Sequence, residues 1–152
     1  MRQPRAAPLP VRVVRSTSNP LPAYETADSA GMDLRAHLDS PVHLAPGERA
    51  LIPTGLKLEI PPGFEAQIRA RSGLALNCGV TVLNAPGTID ADYRGDVGVI
   101  LINLSNSPQC IQPGQRVAQL VLAPVCHAQL VEVSQLSDSH RGSGGFGSTG
   151  LE

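Results

Sequence analysis

At 152 residues the chain is long enough to bury a core as a single domain, without disulfide or metal staples. With 41% hydrophobic and 16% charged residues it reads as soluble and globular, and no apolar run approaches a membrane span. A net charge of −1 leaves no nucleic-acid footprint.

Arg2, Arg5, Arg12 and Arg15 precede the first acid, Glu25, with no apolar stretch of a secretory signal, so a trimmed organelle-targeting remnant is the alternative to an ordinary N-terminus. Proline and glycine then punctuate the chain in "APGE" at 45, "PTG" at 53, "PPG" at 61, "APG" at 85 and "QPGQ" at 112, with short β-branched runs between them. "LKLEI" (56–60) alternates as a half-buried strand should. "SGLAL", from Ser72, is the one plausible helix. "VGVILINL" (97–104) and "VAQLVLAPV" (117–125) are nearly continuous apolar runs, predicted to be covered on both faces by core or by a subunit interface. "AQLVEV" (128–133) is the last strand-like run before a glycine-rich tail. These elements predict an all-β sandwich or jelly roll with one short helix, a domain over 1–136 whose first ten residues lack order, and a flexible appendage over 137–152.

Cys78, Cys110 and Cys126 are odd in number, widely spaced and set in apolar surroundings, which points away from a disulfide framework and toward a reduced cytoplasm. His37, His43, His127 and His140 show no ligand spacing, so no zinc is expected.

Five stretches carry candidate chemistry. In "AGMDLRA" (30–36) Asp33 follows a glycine turn and alone is a routine turn acid. In "RARSGLA" (69–75) Ser72 reads as a helix N-cap, and with Arg71 and the first helical N–H groups also as an anion site. No GxSxG frames it as a nucleophile. In "LNAPGTIDADYRGD" (83–96) Asp90, Asp92 and Asp96 crowd around Tyr93 and Arg94. An ordinary hairpin with solvated acids explains them, but Asp90 directly follows Ile89, where a carboxylate beside an apolar wall can act as a general base. Gly98 weakens the following strand unless something approaches its backbone closely. In "GQRVAQL" (114–120) Gln119 is an amide inside a buried run and requires partners.

The fifth stretch is "RGSGGFGSTG" (141–150), which matches GxGxxG but lies too near the chain end to stand between the strand and helix of a dinucleotide fold, or within a kinase hairpin. A disordered tail is the plain reading. Arg141, Phe146, Ser148 and Thr149 beside approachable backbone N–H groups also suit a nucleotide.

In this order, "AGMDLRA", "RSGLA", "GTIDADYRGD", "RVAQL" and "RGSGGFGSTG" closely resemble the five motifs of the homotrimeric deoxyuridine triphosphatase (dUTPase) family, over about residues 20 to 150. Asp96 stands where that family often has Glu, and Thr88 falls at a variable position. The resemblance implies a trimeric jelly roll with active sites shared between subunits. Its implied reaction is hydrolysis of dUTP to dUMP and pyrophosphate with Mg²⁺, which supplies dUMP for dTMP synthesis and keeps uracil out of DNA. It implies Asp90 as the base activating water for attack on the α-phosphorus, and Tyr93 under the deoxyribose. Asn84 and the backbone of Thr88, Ile89 and Asp90 would read uracil, with Gly98 also against substrate. Arg71, Ser72 and Gly73 of a neighbouring subunit would hold the phosphates with Gln119. Asp33 and Gln119 would reach the metal through water, with no direct protein ligand. The tail becomes a lid in which Phe146 stacks on the base, while Arg141, Gly147, Ser148 and Thr149 hold the γ-phosphate end. Two other readings remain open on the same scaffold: a dCTP deaminase and a non-catalytic nucleotide sensor.

Overall fold

The computed structural model describes residues 7–145. Its strands are β1 (Arg12–Arg15), β2 (Met32–Arg35), β3 (Val42–Leu44), β4 (Arg49–Glu59), β5 (Phe64–Ala70), β6 (Val80–Val82), β7 (Gly87–Ile89), β8 (Asp96–Asn103), β9 (Gln109–Ile111) and β10 (Arg116–Pro124). One helix, α1 (Ser72–Cys78), joins β5 to β6. The strands form one sheet ordered β1-β4-β8-β6, a second ordered β2-β10-β5-β7, and the small pair β3-β9. Every pairing is antiparallel, as a chain of short strands and tight turns favours. The result is the all-β sandwich expected from the punctuation. None of its helices is long and apolar enough to cross a membrane, among the described residues.

Alternation decides which face each strand buries. In β4, Leu56, Leu58 and the adjoining Ile60 point inward while Lys57 and Glu59 face solvent. In β8, Val97, Val99, Leu101 and Asn103 enter the core. They meet Leu34, Ala66, Ile68 and Leu120 of the opposite sheet in one continuous apolar cluster. Of the 97–104 run, the core covers one face; Gly98, Ile100 and Ile102 on the other are half covered among the described residues of a single chain.

Two irregularities also depart from the sequence reading. "PTG" does not end a strand. β4 runs through it as a bulge, with the register shifting between Pro53 and Lys57 and Gly55 at φ +69°. A Cβ at Gly55 would lie 2.7 Å from the Thr17 side chain, so both backbone and space call for glycine. The second bulge is in β10, where Arg116 pairs with Arg35 but Ala118 pairs with Leu34, leaving Val117 extra. Beyond β10 the chain runs on without pairing. Leu130 and Leu136 are 94% and 87% exposed, and "AQLVEV" is no strand within one copy of the chain.

Candidate active site

The 83–96 stretch is not the hairpin read from sequence: β7 leaves the sheet of β6 and β8 and pairs with β5 instead. β7 is the outermost strand of its sheet, held to β5 through the pairs Ala66 with Ile89 and Gln67 with Thr88. Gly87 and Ile89 turn inward and Thr88 turns out. The strand stops at Ile89, a turn closes with the N–H of Tyr93 donating to the carbonyl of Asp90 at 3.1 Å, and the exposed Asp90 stands at the rim. Asn84, Thr88, Ile89, Asp90, Tyr93 and Gly98 converge on one cavity of about 290 Å³. Asp90 also borders a second, open groove of about 990 Å³ that runs past Phe64, Asp92 and Arg94. Asp90 therefore stands between the two spaces and is exposed.

Packing within the cavity is specific. The Asn84 amide rests against Gly87, where a Cβ would sit 3.2 Å from its nitrogen. The Tyr93 hydroxyl donates to the carbonyl of Asp96 at 3.0 Å. Arg94 is no partner for the acids: it donates to the carbonyls of Ala91 at 2.6 Å and Tyr93 at 3.0 Å, bracing the turn instead. What approaches Gly98 in the unliganded chain is Leu51, whose Cδ1 would be 2.6 Å from an added Cβ. Leu51, two-thirds exposed and a lining residue of the cavity, was not singled out by sequence because β4 carries no other mark of a site.

A polar cluster forms at the other edge of the same sheet. Asp33 on β2 faces Gln119 on β10, and Gln119 faces Arg69 on β5. Leu34 and Leu120 point inward, so Asp33 and Gln119 point out. Arg71 closes β5 and donates from Nε to Asp33 Oδ1 at 2.9 Å. Arg116 donates from Nη1 to Asp33 Oδ2 at 3.0 Å. Asp33 is only 9% exposed, so its charge depends on these partners. Ser72 is corrected: it is the first helical residue rather than the cap. Arg71 occupies the cap position with extended backbone, and no side chain caps the helix. Ser72 and Gly73 are exposed, and nothing would meet a Cβ at Gly73 within 4 Å.

The cluster runs from β2 across β10 to the end of β5, and β5 is the strand that pairs with β7 beside the cavity. Arg141 joins neither, since its Nε donates to the carbonyl of Gly144 at 2.6 Å in a local turn of the tail. Phe146, Gly147, Ser148 and Thr149 lie outside the described residues.

The chain is thus an antiparallel β-sandwich with an exposed carboxylate beside a small cavity and an arginine-bound carboxylate on the same sheet. The family model described as dUTPase matches residues 17–150, and the chain belongs to that family. It is 58% identical over 140 residues to the deoxyuridine 5'-triphosphate nucleotidohydrolase of Cytophaga hutchinsonii, covering 92% of this chain and 91% of the relative. It is 62% identical over 130 residues to the enzyme of that name from an Anaeromyxobacter species, covering 86% and 87%. Among solved structures, a mutant dUTPase of Staphylococcus bacteriophage 80alpha with dUpNHpp superimposes with a TM-score of 0.84 at 26% identity, over 93% of this chain and 99% of that one. A mutant dUTPase from phage phi11 of S. aureus, described with a coordinated structural Mg(II) ion, shares the fold at 22% identity and a TM-score of 0.75, over 85% and 99%.

Proposed function

We propose that this chain hydrolyses dUTP to dUMP and pyrophosphate with Mg²⁺, as a homotrimer whose sites are shared between copies. The observation that carries the reading is the convergence of Asn84, Thr88, Ile89, Asp90, Tyr93 and Gly98 on one nucleoside-sized cavity, in a chain of the dUTPase family. The amide of Asn84 and the edge of β7 offer donors and acceptors to a uracil ring, and the small cavity leaves little room for a 5-methyl group. Tyr93 lies under the sugar and leaves no space for a 2'-hydroxyl.

Asp90 is the general base. Its carboxylate takes a proton from water as the water oxygen bonds to the α-phosphorus, and the bond from that phosphorus to the bridging oxygen of pyrophosphate breaks. Arg71, Ser72, Gly73 and Gln119 of a neighbouring copy hold the phosphates, and Arg141 with residues 146–149 closes the site. The donor set fits an ion held through water. Asp33 and Gln119 are hard oxygen donors side by side in register, while no group of three or more metal-binding side chains occurs among the described residues. Bound by the triphosphate, the ion would neutralise charge on the phosphates.

Sharing is supported by surface left apolar in a single copy. Leu130, Val131, Val133 and Leu136 form an exposed run, and Ile100 and Ile102 are half covered, an unusual amount of unpartnered apolar surface for a lone domain. A cytoplasmic site of action follows from this reaction and from the three unpaired thiols.

The test is pyrophosphate release with Mg²⁺ from dUTP beside dTTP, dCTP and UTP. Cleavage of dUTP with poor turnover of the rest is expected. Comparable kcat/KM for UTP or dTTP would overturn the specificity, ammonia release from dCTP would make it a deaminase, and binding without turnover would leave a sensor.

A further inference from the structure

Arg116 has been given no role so far, yet it shares the carboxylate that holds Arg71. We infer that Arg116 is a positioning residue for phosphate binding, acting through Asp33 on Arg71. This rests on the reading that Arg71 contacts the phosphates.

The argument starts from the bulge in β10. Arg116 and Gln119 are three residues apart and would point to opposite faces of a regular strand. The extra residue, Val117, restores them to one face: Val117 and Ala118 are both buried, and Arg116 comes over Asp33 beside Gln119. Each oxygen of Asp33 then accepts from a different arginine, at 2.9 Å from Arg71 Nε and 3.0 Å from Arg116 Nη1. The neighbouring guanidinium of Arg35 is diverted to the carbonyl of Gly114 at 2.9 Å and does not compete.

Two consequences follow from charge and geometry. Arg71, Arg116, Asp33 and Glu25 sum to zero, so losing Arg116 would leave the cluster net negative where a polyphosphate must approach. Asp33 takes only the Nε edge of Arg71, so the Nη groups keep donors for phosphate oxygens. Arg116 fixes the other oxygen and so the plane in which Arg71 is presented. The same Nη1 of Arg116 lies 3.5 Å from Glu25 Oε1, so both carboxylates converge on it.

The experiment measures affinity of the full-length protein for the imido analogue of dUTP and for deoxyuridine, which lacks phosphates, in Arg116→Ala, Arg116→Lys, Arg71→Ala and the double variant. Arg116→Ala should weaken the analogue by about tenfold and leave deoxyuridine within about twofold, the pattern of a lost phosphate interaction rather than a damaged fold. Arg116→Lys, which keeps the charge, should recover most of the loss and also serves if the alanine variant does not fold. In the Arg71→Ala background, adding Arg116→Ala should cost less than about twofold more. Equal weakening of analogue and nucleoside, or full additivity of the two substitutions, would overturn the inference. Unchanged analogue affinity in Arg71→Ala alone would instead remove the phosphate role of Arg71, a separate failure read in a separate protein.

Discussion

Tyr93 reaches the carbonyl of Asp96 only by lying across Gly95, where any Cβ would collide with its ring. Gly95→Ala should therefore displace the ring without touching the core. The expected result is a fall in the preference for dUTP over UTP by about tenfold, or about 1.4 kcal/mol of discrimination, with an unchanged melting curve. An unaltered ratio of kcat/KM values would show that Tyr93 does not exclude the 2'-hydroxyl.

Asp90→Asn keeps the size of the side chain and removes the base. Turnover should drop by about a hundredfold or more, while affinity for the imido analogue stays within a few-fold of wild type. Wild-type kcat in this variant would move the base elsewhere, with Asp92, which borders the same groove, as the next candidate.

Removal of residues after His140 should silence turnover while sparing the fold. In the described part of that tail, the hydrogen bonds of Arg141 and Gly142 reach only Ser139 and Gly144, and none of these is to the core. Sedimentation and thermal melting should match wild type; loss of assembly would make the tail structural. Refolding truncated chains together with Asp90→Asn chains tests whether the tail acts on another copy. Mixed trimers should regain part of the activity, because an intact Asp90 can then meet an intact tail, and verified mixed trimers without activity would confine the tail to its own chain.

A stability prediction falls on Asn103, a wholly buried amide at the inner end of β8. Its Nδ2 donates to the carbonyls of Leu44 and Ser107, each at 2.9 Å, and its Oδ1 accepts from Ser105 Oγ at 2.7 Å and Ser105 N at 2.9 Å. Asn103→Ala strands these groups and should cost about 2–4 kcal/mol in urea unfolding at fixed protein concentration. Per folded chain, kcat should not change. A loss below about 0.5 kcal/mol would mean that the network relaxes around the gap.

Much of this was legible in the sequence. The alternation of 56–60, the short helix after Arg71 and the clustering of Asn84 through Tyr93 depend on neighbours in the chain, where pattern and turn chemistry suffice. The bulges were not legible. Gly55 looked like the end of a strand because its positive φ serves a turn and a bulge equally well. The contact of Arg116 with Asp33 depends on pairing between strands 83 residues apart in sequence and on one extra residue in between, a register that no local pattern encodes. Its only trace was a charged residue opening an apolar run. The coverage of β8 was legible for one face only: Ile100 and Ile102 on the other are half covered in a single copy.

The proposed division of one site between the cavity beside β7 and the Asp33 cluster of another copy bears on when the protein works at all. Where the halves of a site come from different copies, a newly made chain is inert until it meets others. In dilute solution, where most chains are single, turnover per chain then rises with the square of chain concentration, so a modest change in expression produces a larger change in nucleotide clearance. The same geometry makes inheritance of defects unusual. A chain broken in its cavity and a chain broken in its arginine cluster, each useless by itself, can assemble into a trimer that retains a working site.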